Sequence, residues 1–238
     1  MFKFKDISSD SMNVIVEEET NIIKKAAQKT EKIDIDGRNG SIYNELGYDD
    51  VDFSLKLSII DISKIDDIFK WLNGKGTFEY NGRITTAYCY TDISTERKAT
   101  IKSIDVNFTR EPFWVKEDDY ITVTNSITNI GNIPSYPVIK LTKTTSDKVD
   151  ITINGVRFIY NFDTDYVEID CKEFNASYNG ISKNRNLEID FEFPKLNPGE
   201  NTITINSGTA KIEIKRKDCW LWLKYLILTI KNLLLMEL

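Results

Sequence analysis

Apolar and polar residues alternate along most of the chain. Val51, Phe53, Leu55, Leu57 and Ile59 fall on one side of an extended segment, and Asp52, Ser54, Lys56 and Ser58 on the other. A period of two predicts a strand with one buried face. The same alternation recurs at Ile104, Val106 and Phe108, at Ile203 and Ile205, and at Ile212 and Ile214. The period changes between Ser63 and Gly74. There Ile65, Ile68, Phe69 and Leu72 stand at i, i+3, i+4 and i+7, the spacing of one apolar stripe on a helix. Ser63 is placed to cap this helix, with Asp66 three residues on, close to a capping box. Gly74 can take the left-handed conformation that ends it. The stripe is expected to pack on the sheet that contains residues 51–59.

Turn signals divide the strands. Asn81-Gly82 joins 76–80 to 83–90, and Asn154-Gly155 joins 149–153 to 156–160, both two-residue hairpin turns. Asn197-Pro-Gly-Glu200 and Ser207-Gly208 separate 187–193, 202–206 and 210–215. Turns at such short intervals describe an antiparallel sandwich or barrel. Gly37 and Gly40 bracket Arg38-Asn39 after a short alternating stretch at 32–36, and most simply make a tight turn. Their spacing is neither GxGxxG nor GxxxxGK[ST], so no nucleotide site is indicated. The Asn-, Ser-, Gly- and Pro-rich stretch 124–137 marks a domain boundary.

The chain therefore reads as mainly β. Residues 1–130 form an α+β domain with one helix, residues 131–222 an antiparallel β-sandwich, and residues 223–238 an apolar extension. Lys224, Lys231 and Glu237 interrupt that extension. It falls short of the ~20 mostly apolar residues that cross a bilayer, so no stable membrane insertion is expected. The N-terminus has no apolar core of a secretory signal.

Composition removes several chemistries. The 238 residues include no histidine, which excludes Ser-His-Asp and Cys-His nucleophilic sites and histidine-ligated zinc. Cys89, Cys171 and Cys219 are far apart and odd in number, so neither a metal site nor a disulfide framework is indicated. The net charge is −6, with lysines interspersed among acids, which argues against nucleic acid as a partner. Acidic runs at 17–19, 49–50, 66–67 and 117–119 invite a glycosidase reading; solvated surface acid is the simpler account. Trp71, Tyr88, Tyr90, Phe113 and Trp114 could stack on sugar, although core and interface packing explains most of them. Tyr160, Tyr166 and Tyr178 do not form one strand face. No enzyme activity and no cofactor or metal are expected.

The order of several short motifs carries a resemblance. Phe2-Lys-Phe4 with Ser9-Asp-Ser-Met12, then Ile35-Asp-Gly-Arg-Asn-Gly40, the helix ending Trp71-Leu-Asn-Gly74 and the hairpin after it, and Val106-Asn-Phe-Thr-Arg-Glu-Pro-Phe113 follow one another. Asn129-Ile-Gly-Asn132, Ser135-Tyr-Pro137, Ile169-Asp-Cys171 and Leu196-Asn-Pro-Gly-Glu-Asn201 continue the series, as does a terminal strand running to Trp220. Over about 220 residues the chain resembles the distal tail proteins of siphophages. The resemblance stops near Leu221. It implies a ring-forming belt domain that assembles as a homo-hexamer and a galectin-like second domain. It also implies a position at the virion tail tip, between the tail tube protein above and tail-tip and receptor-binding proteins below. Assembly would take place in the host bacterial cytoplasm, and the gene could be that of a phage or prophage. A carbohydrate-binding adhesion module of the tail tip is the alternative.

Overall fold

In the computed structural model, residues 1–98, 101–189 and 192–222 are described. The apolar extension 223–238 lies outside them. The described residues divide into two compact units, Met1–Trp114 with Leu221 and Trp222, and Val115–Trp220. Both are built of antiparallel strands, and the mainly β reading holds.

The first unit has one large sheet, a short helix and a separate two-stranded sheet. The strands of the large sheet run in the order Ile7–Ser8, Phe2–Phe4, Gly74–Tyr80, Arg83–Cys89, Ile101–Arg110, Val51–Ile59 and Val14–Thr20. Ser94–Lys98 also pairs with Ile101–Arg110. Val51, Phe53, Leu55, Leu57 and Ile59 are all buried, as their alternation requires. Opposite them, Phe108 pairs with Phe53, Val106 with Leu55 and Ile104 with Leu57. Aromatic rings fill the centre. Phe53 stacks on Phe108 at 5.1 Å and meets Phe78 edge-on at 5.1 Å, while Phe2 stacks on Phe78 at 5.3 Å and on Trp71 at 5.5 Å. Such pairs add stabilisation beyond the area they bury.

The helix differs in detail from its sequence reading. A 3-10 turn, Ile62–Lys64, precedes the helix Ile65–Trp71. The cap is Asp61, which accepts from the Ser63 backbone N–H at 3.0 Å and from the Ser63 hydroxyl at 2.7 Å. Ser63 is thus the capped residue rather than the cap. Ile68 and Leu72 are buried, whereas Ile65 and Phe69 are half-buried. Trp71 takes the deep position beside Ile68, because its indole N–H donates to the Phe4 carbonyl at 2.7 Å and its ring lies on Phe2. Gly74 has φ +93°, so a side chain there would be strained.

The second unit is a two-sheet sandwich. One sheet has six strands in the order Ile121–Val123, Ala210–Lys215, Val138–Lys143, Tyr166–Asp170, Asn175–Tyr178 and Ile181–Ser182. The other has five, Ser126–Asn129, Gly199–Ser207, Lys148–Ile153, Val156–Asn161 and Leu187–Ile189. Ile139, Leu141, Val167, Ile169, Ile212 and Ile214 of the first share a core with Val149, Ile151, Ile153, Phe158, Tyr160 and Ile203 of the second. The stretch 124–137, rich in turn residues, holds a strand of this unit: Ile127 and Asn129 are buried.

Candidate assembly surfaces

The first unit carries a projection. Gln28–Ile33 and Ile42–Tyr48 pair only with each other, as a two-stranded sheet. Every residue of Gln28–Ile33 is exposed, as are the five interior residues of Ile42–Tyr48. Tyr43 and Leu46 are 60% and 61% exposed, the opposite of what free apolar side chains favour in water. Gly37 and Gly40, with φ of +80° and +79°, lie in the connection 34–41, where the Arg38 N–H closes a turn on the Ile35 carbonyl at 3.1 Å. The Ser41 hydroxyl and Lys32 hold Asp34 below the ordinary carboxylate range.

The root of this arm is fixed. Ile22 and Ala26 are buried in the unit's core. The Asp49 N–H donates to the Ala27 carbonyl at 2.8 Å, and Tyr48 meets Phe113 edge-on at 5.4 Å. Arg110 does the most. Its guanidinium, fully buried, donates to the carbonyls of Lys24 at 2.7 Å, Glu111 at 2.9 Å and Pro112 at 3.2 Å. It also lies over the Trp114 ring at 4.9 Å. Burial pushes its pKa down to about 10, so it stays charged at neutral pH. Sequence reasoning passed over Arg110. The signal was present: Ile104, Val106 and Phe108 face inward, and residue 110 is next in that series.

A second feature is the sheet's end. No strand lies beyond Val14–Thr20 among the described residues. Ile15 is 54% exposed there, and Glu18 and Glu19 are exposed with it. A register shift between Val16 and Glu18 bulges the edge. Glu17 is tied inward by the hydroxyls of Ser58 and Ser103.

In the second unit the turn-rich motifs are staples. The buried Asn129 amide donates to the carbonyls of Leu196 at 2.8 Å and Ile133 at 3.2 Å, and its oxygen accepts from the Gly131 N–H at 2.7 Å. A Cβ at Gly131 would run into the Cys219 carbonyl. Buried Asn201 donates to the Asn197 and Gly199 carbonyls at 2.9 and 2.8 Å, and accepts from the Asn197 N–H at 2.7 Å and the Asn154 amide at 2.6 Å. Burying amides is tolerable because each polar atom finds a partner. Tyr160 is buried. Tyr166 and Tyr178, on adjacent strands, meet edge-on at 4.9 Å, and the Lys140 ammonium sits 4.4 Å from the Tyr166 ring centre.

The acidic runs are dispersed. Asp49 pairs with Lys29 at 3.4 Å, Asp66 and Asp67 stand exposed in the first helical turn, and Glu117 pairs with Lys215 at 3.2 Å. Asp118 binds Arg216 at 2.5 Å. Burial raises the Asp218 carboxyl, yet its side chain has no exposure through which to meet a substrate. Among the described residues no three His, Cys, Asp or Glu gather as a metal site, and no helix is long and apolar enough to cross a membrane. Burial also raises the thiols of Cys89, Cys171 and Cys219, which are free.

Residues 130–220 match the family described as siphovirus-type tail component, C-terminal domain. That segment lies within the second unit and includes most of the Asn129 and Asn201 staples. Among solved structures, the SPP1 Dit (gp 19.1) protein, described as a paradigm of the hub adsorption apparatus in phages infecting Gram-positive bacteria, aligns over 91% of this chain and 97% of its own. The TM-score is 0.71 at 13% identity, a likeness of fold across both units. A chain of the phage P2 baseplate in its activated conformation aligns over 89% of this chain and 93% of its own, with TM-score 0.47 and 12% identity. No curated protein matches the chain.

Proposed function

We infer that this chain is a Dit-like distal tail protein of a siphophage or prophage, a structural hub of the virion tail. The observation that carries the reading is a coincidence of two kinds of match. The family match falls in the second unit, and the fold match runs through both. In this role the chain forms a homo-hexameric ring between the tail tube and the tail-tip and receptor-binding proteins, assembled in the host cytoplasm. The first unit supplies the ring contacts, consistent with its open sheet edge and exposed arm. The role is not catalytic. The carboxylates of the acidic runs are dispersed among cations and hydroxyls, and the one raised carboxyl described above is sealed from solvent. That arrangement suits surface solvation rather than acid–base chemistry.

Antibody labelling of intact virions tests this reading. Gold should mark the junction of tail tube and tip. Labelling of the capsid, or none on virions that contain the chain's gene, would refute it.

A further inference from the structure

We propose that Asn39, in the connection 34–41 of the arm, is a site of self-modification: the main-chain nitrogen of Gly40 attacks the Asn39 side chain, and water turns the product into aspartate and isoaspartate. The inference is independent of the hub reading. Atoms balance with water as the one co-reactant. The Gly40 nitrogen gives up its proton to solvent and bonds to Asn39 Cγ. The Cγ–Nδ2 bond breaks, ammonia leaves, and a cyclic succinimide remains. Water then opens the ring. Cleavage at Cγ gives aspartate, and cleavage at the main-chain carbonyl carbon gives isoaspartate, in which the chain runs through Cγ. Nothing is oxidised or reduced. Glycine is the residue that best permits this attack, because no Cβ crowds its nitrogen.

The sequence holds five Asn-Gly pairs, at 39–40, 73–74, 81–82, 154–155 and 179–180, and the fold restrains four of them. Asn154 is bound through its whole amide. The nitrogen donates to the Lys195 carbonyl at 2.9 Å and to Asn201 at 2.6 Å, and the oxygen accepts from the Thr202 N–H at 3.1 Å. The Asn179 oxygen accepts from the Tyr166 hydroxyl at 2.6 Å, and Tyr178 pairs with Ile181 across the turn. Tyr80 pairs with Arg83 directly across Asn81-Gly82. Gly74 opens a strand opposite Cys89, with the Lys5 ammonium 3.6 Å and the Tyr90 ring 3.9 Å from where its Cβ would lie. Each of these sites must break hydrogen bonds or open a ladder before the nitrogen can reach Cγ. Asn39 meets no such barrier. It is exposed, and its side chain makes no hydrogen bond among the described residues. The arm's ladder ends at Ile33 and Ile42, so no strand pair adjoins it. Open space surrounds the position of a Gly40 Cβ.

The new carboxylate joins Asp34 and Asp36 in the same connection and shifts the arm towards negative charge as the protein ages. The change lies outside every paired strand, so circular dichroism and melting should match those of fresh protein. The test incubates the full chain, folded, at mildly alkaline pH. Peptide mapping by mass spectrometry, with fragmentation that distinguishes isoaspartate, follows each Asn-Gly pair over time. Asn39 should convert first, at least about tenfold faster than Asn154, whose hydrogen bonds must break beforehand. Asn39→Gln should remove the arm product, because the longer side chain closes its ring far less readily. In guanidinium chloride the five sites should converge on similar rates. The proposal is overturned if Asn39 stays intact, if any of the other four matches its rate in the folded chain, or if Asn39 keeps the same lead in denaturant.

Discussion

Two hairpins of the first unit teach opposite lessons. Gly74–Tyr80 and Arg83–Cys89, joined by Asn81-Gly82, sit inside the sheet and bury Phe78, Ala87 and Cys89. Gln28–Ile33 and Ile42–Tyr48 have the same antiparallel pairing and bury none of their residues. Cross-strand bonding is common to both, so it cannot be what separates a core element from an arm. The difference is cover. Burial supplies most of the favourable free energy in folding, and within its own chain the arm obtains little beyond the half-buried Ile42 and Tyr48.

The contrast can be broken at the covered hairpin first. Phe78 contacts the rings of Phe2, Phe53, Phe108 and Trp114. Phe78→Ala should cost ~3–5 kcal/mol in chemical denaturation of the first unit, whereas Tyr43→Ser on the arm should stay within about 0.5 kcal/mol. Equal losses would mean that the arm is part of the core.

A smaller effect should come from the hairpin Lys148–Ile153 and Val156–Asn161, whose turn is anchored from outside. Asn154 donates to Asn201 and to the Lys195 carbonyl at 2.9 Å. Asn201→Ala leaves several buried groups unpaired and should cost about 1–3 kcal/mol. An unchanged midpoint would show that the staple is dispensable.

Turn glycines sharpen the comparison further. Gly82 (φ +70°) and Gly40 (φ +79°) both have open space where a Cβ would go, so only backbone strain is added. Gly82→Ala should cost about 1 kcal/mol of global stability. Gly40→Ala should leave the midpoint unchanged and speed hydrogen exchange in the arm alone.

The smallest effect is visible only in acid. Arg157, with Asn206, holds Asp150 down to about 2, below an unfolded value of about 3.9. A depressed carboxyl stabilises the fold fully above the unfolded pKa, and that contribution fades as pH falls from about 4 towards 2. Asp150→Asn should flatten the stability–pH curve of the second unit in that window. An unaltered slope would show that the pair does not govern acid sensitivity.

Legibility followed the range of the forces. The strand Val51–Ile59 could be read because alternation is local and all five inward residues obey it. The helix could be placed, but not its deep aromatic. Trp71 is fixed by the Phe4 carbonyl, a partner 67 positions away that periodicity cannot detect. Asn129 and Asn201 carry the composition of turns, and only the folded chain shows their amides spent on buried carbonyls. The open edge and the arm's isolation are statements about what does not pair, and no local pattern encodes an absence.

Arg110 sets an uneven burden of heredity on the arm. Lys24, Glu111 and Pro112 offer it only main-chain oxygens, which almost any residue would present equally. A lysine at 110 has no planar fork to reach three carbonyls and lie on Trp114 at once. In a saturation library selected for folded protein, position 110 should therefore admit arginine almost exclusively. Position 24 should drift through many side chains, with the geometry it helps to hold unaltered.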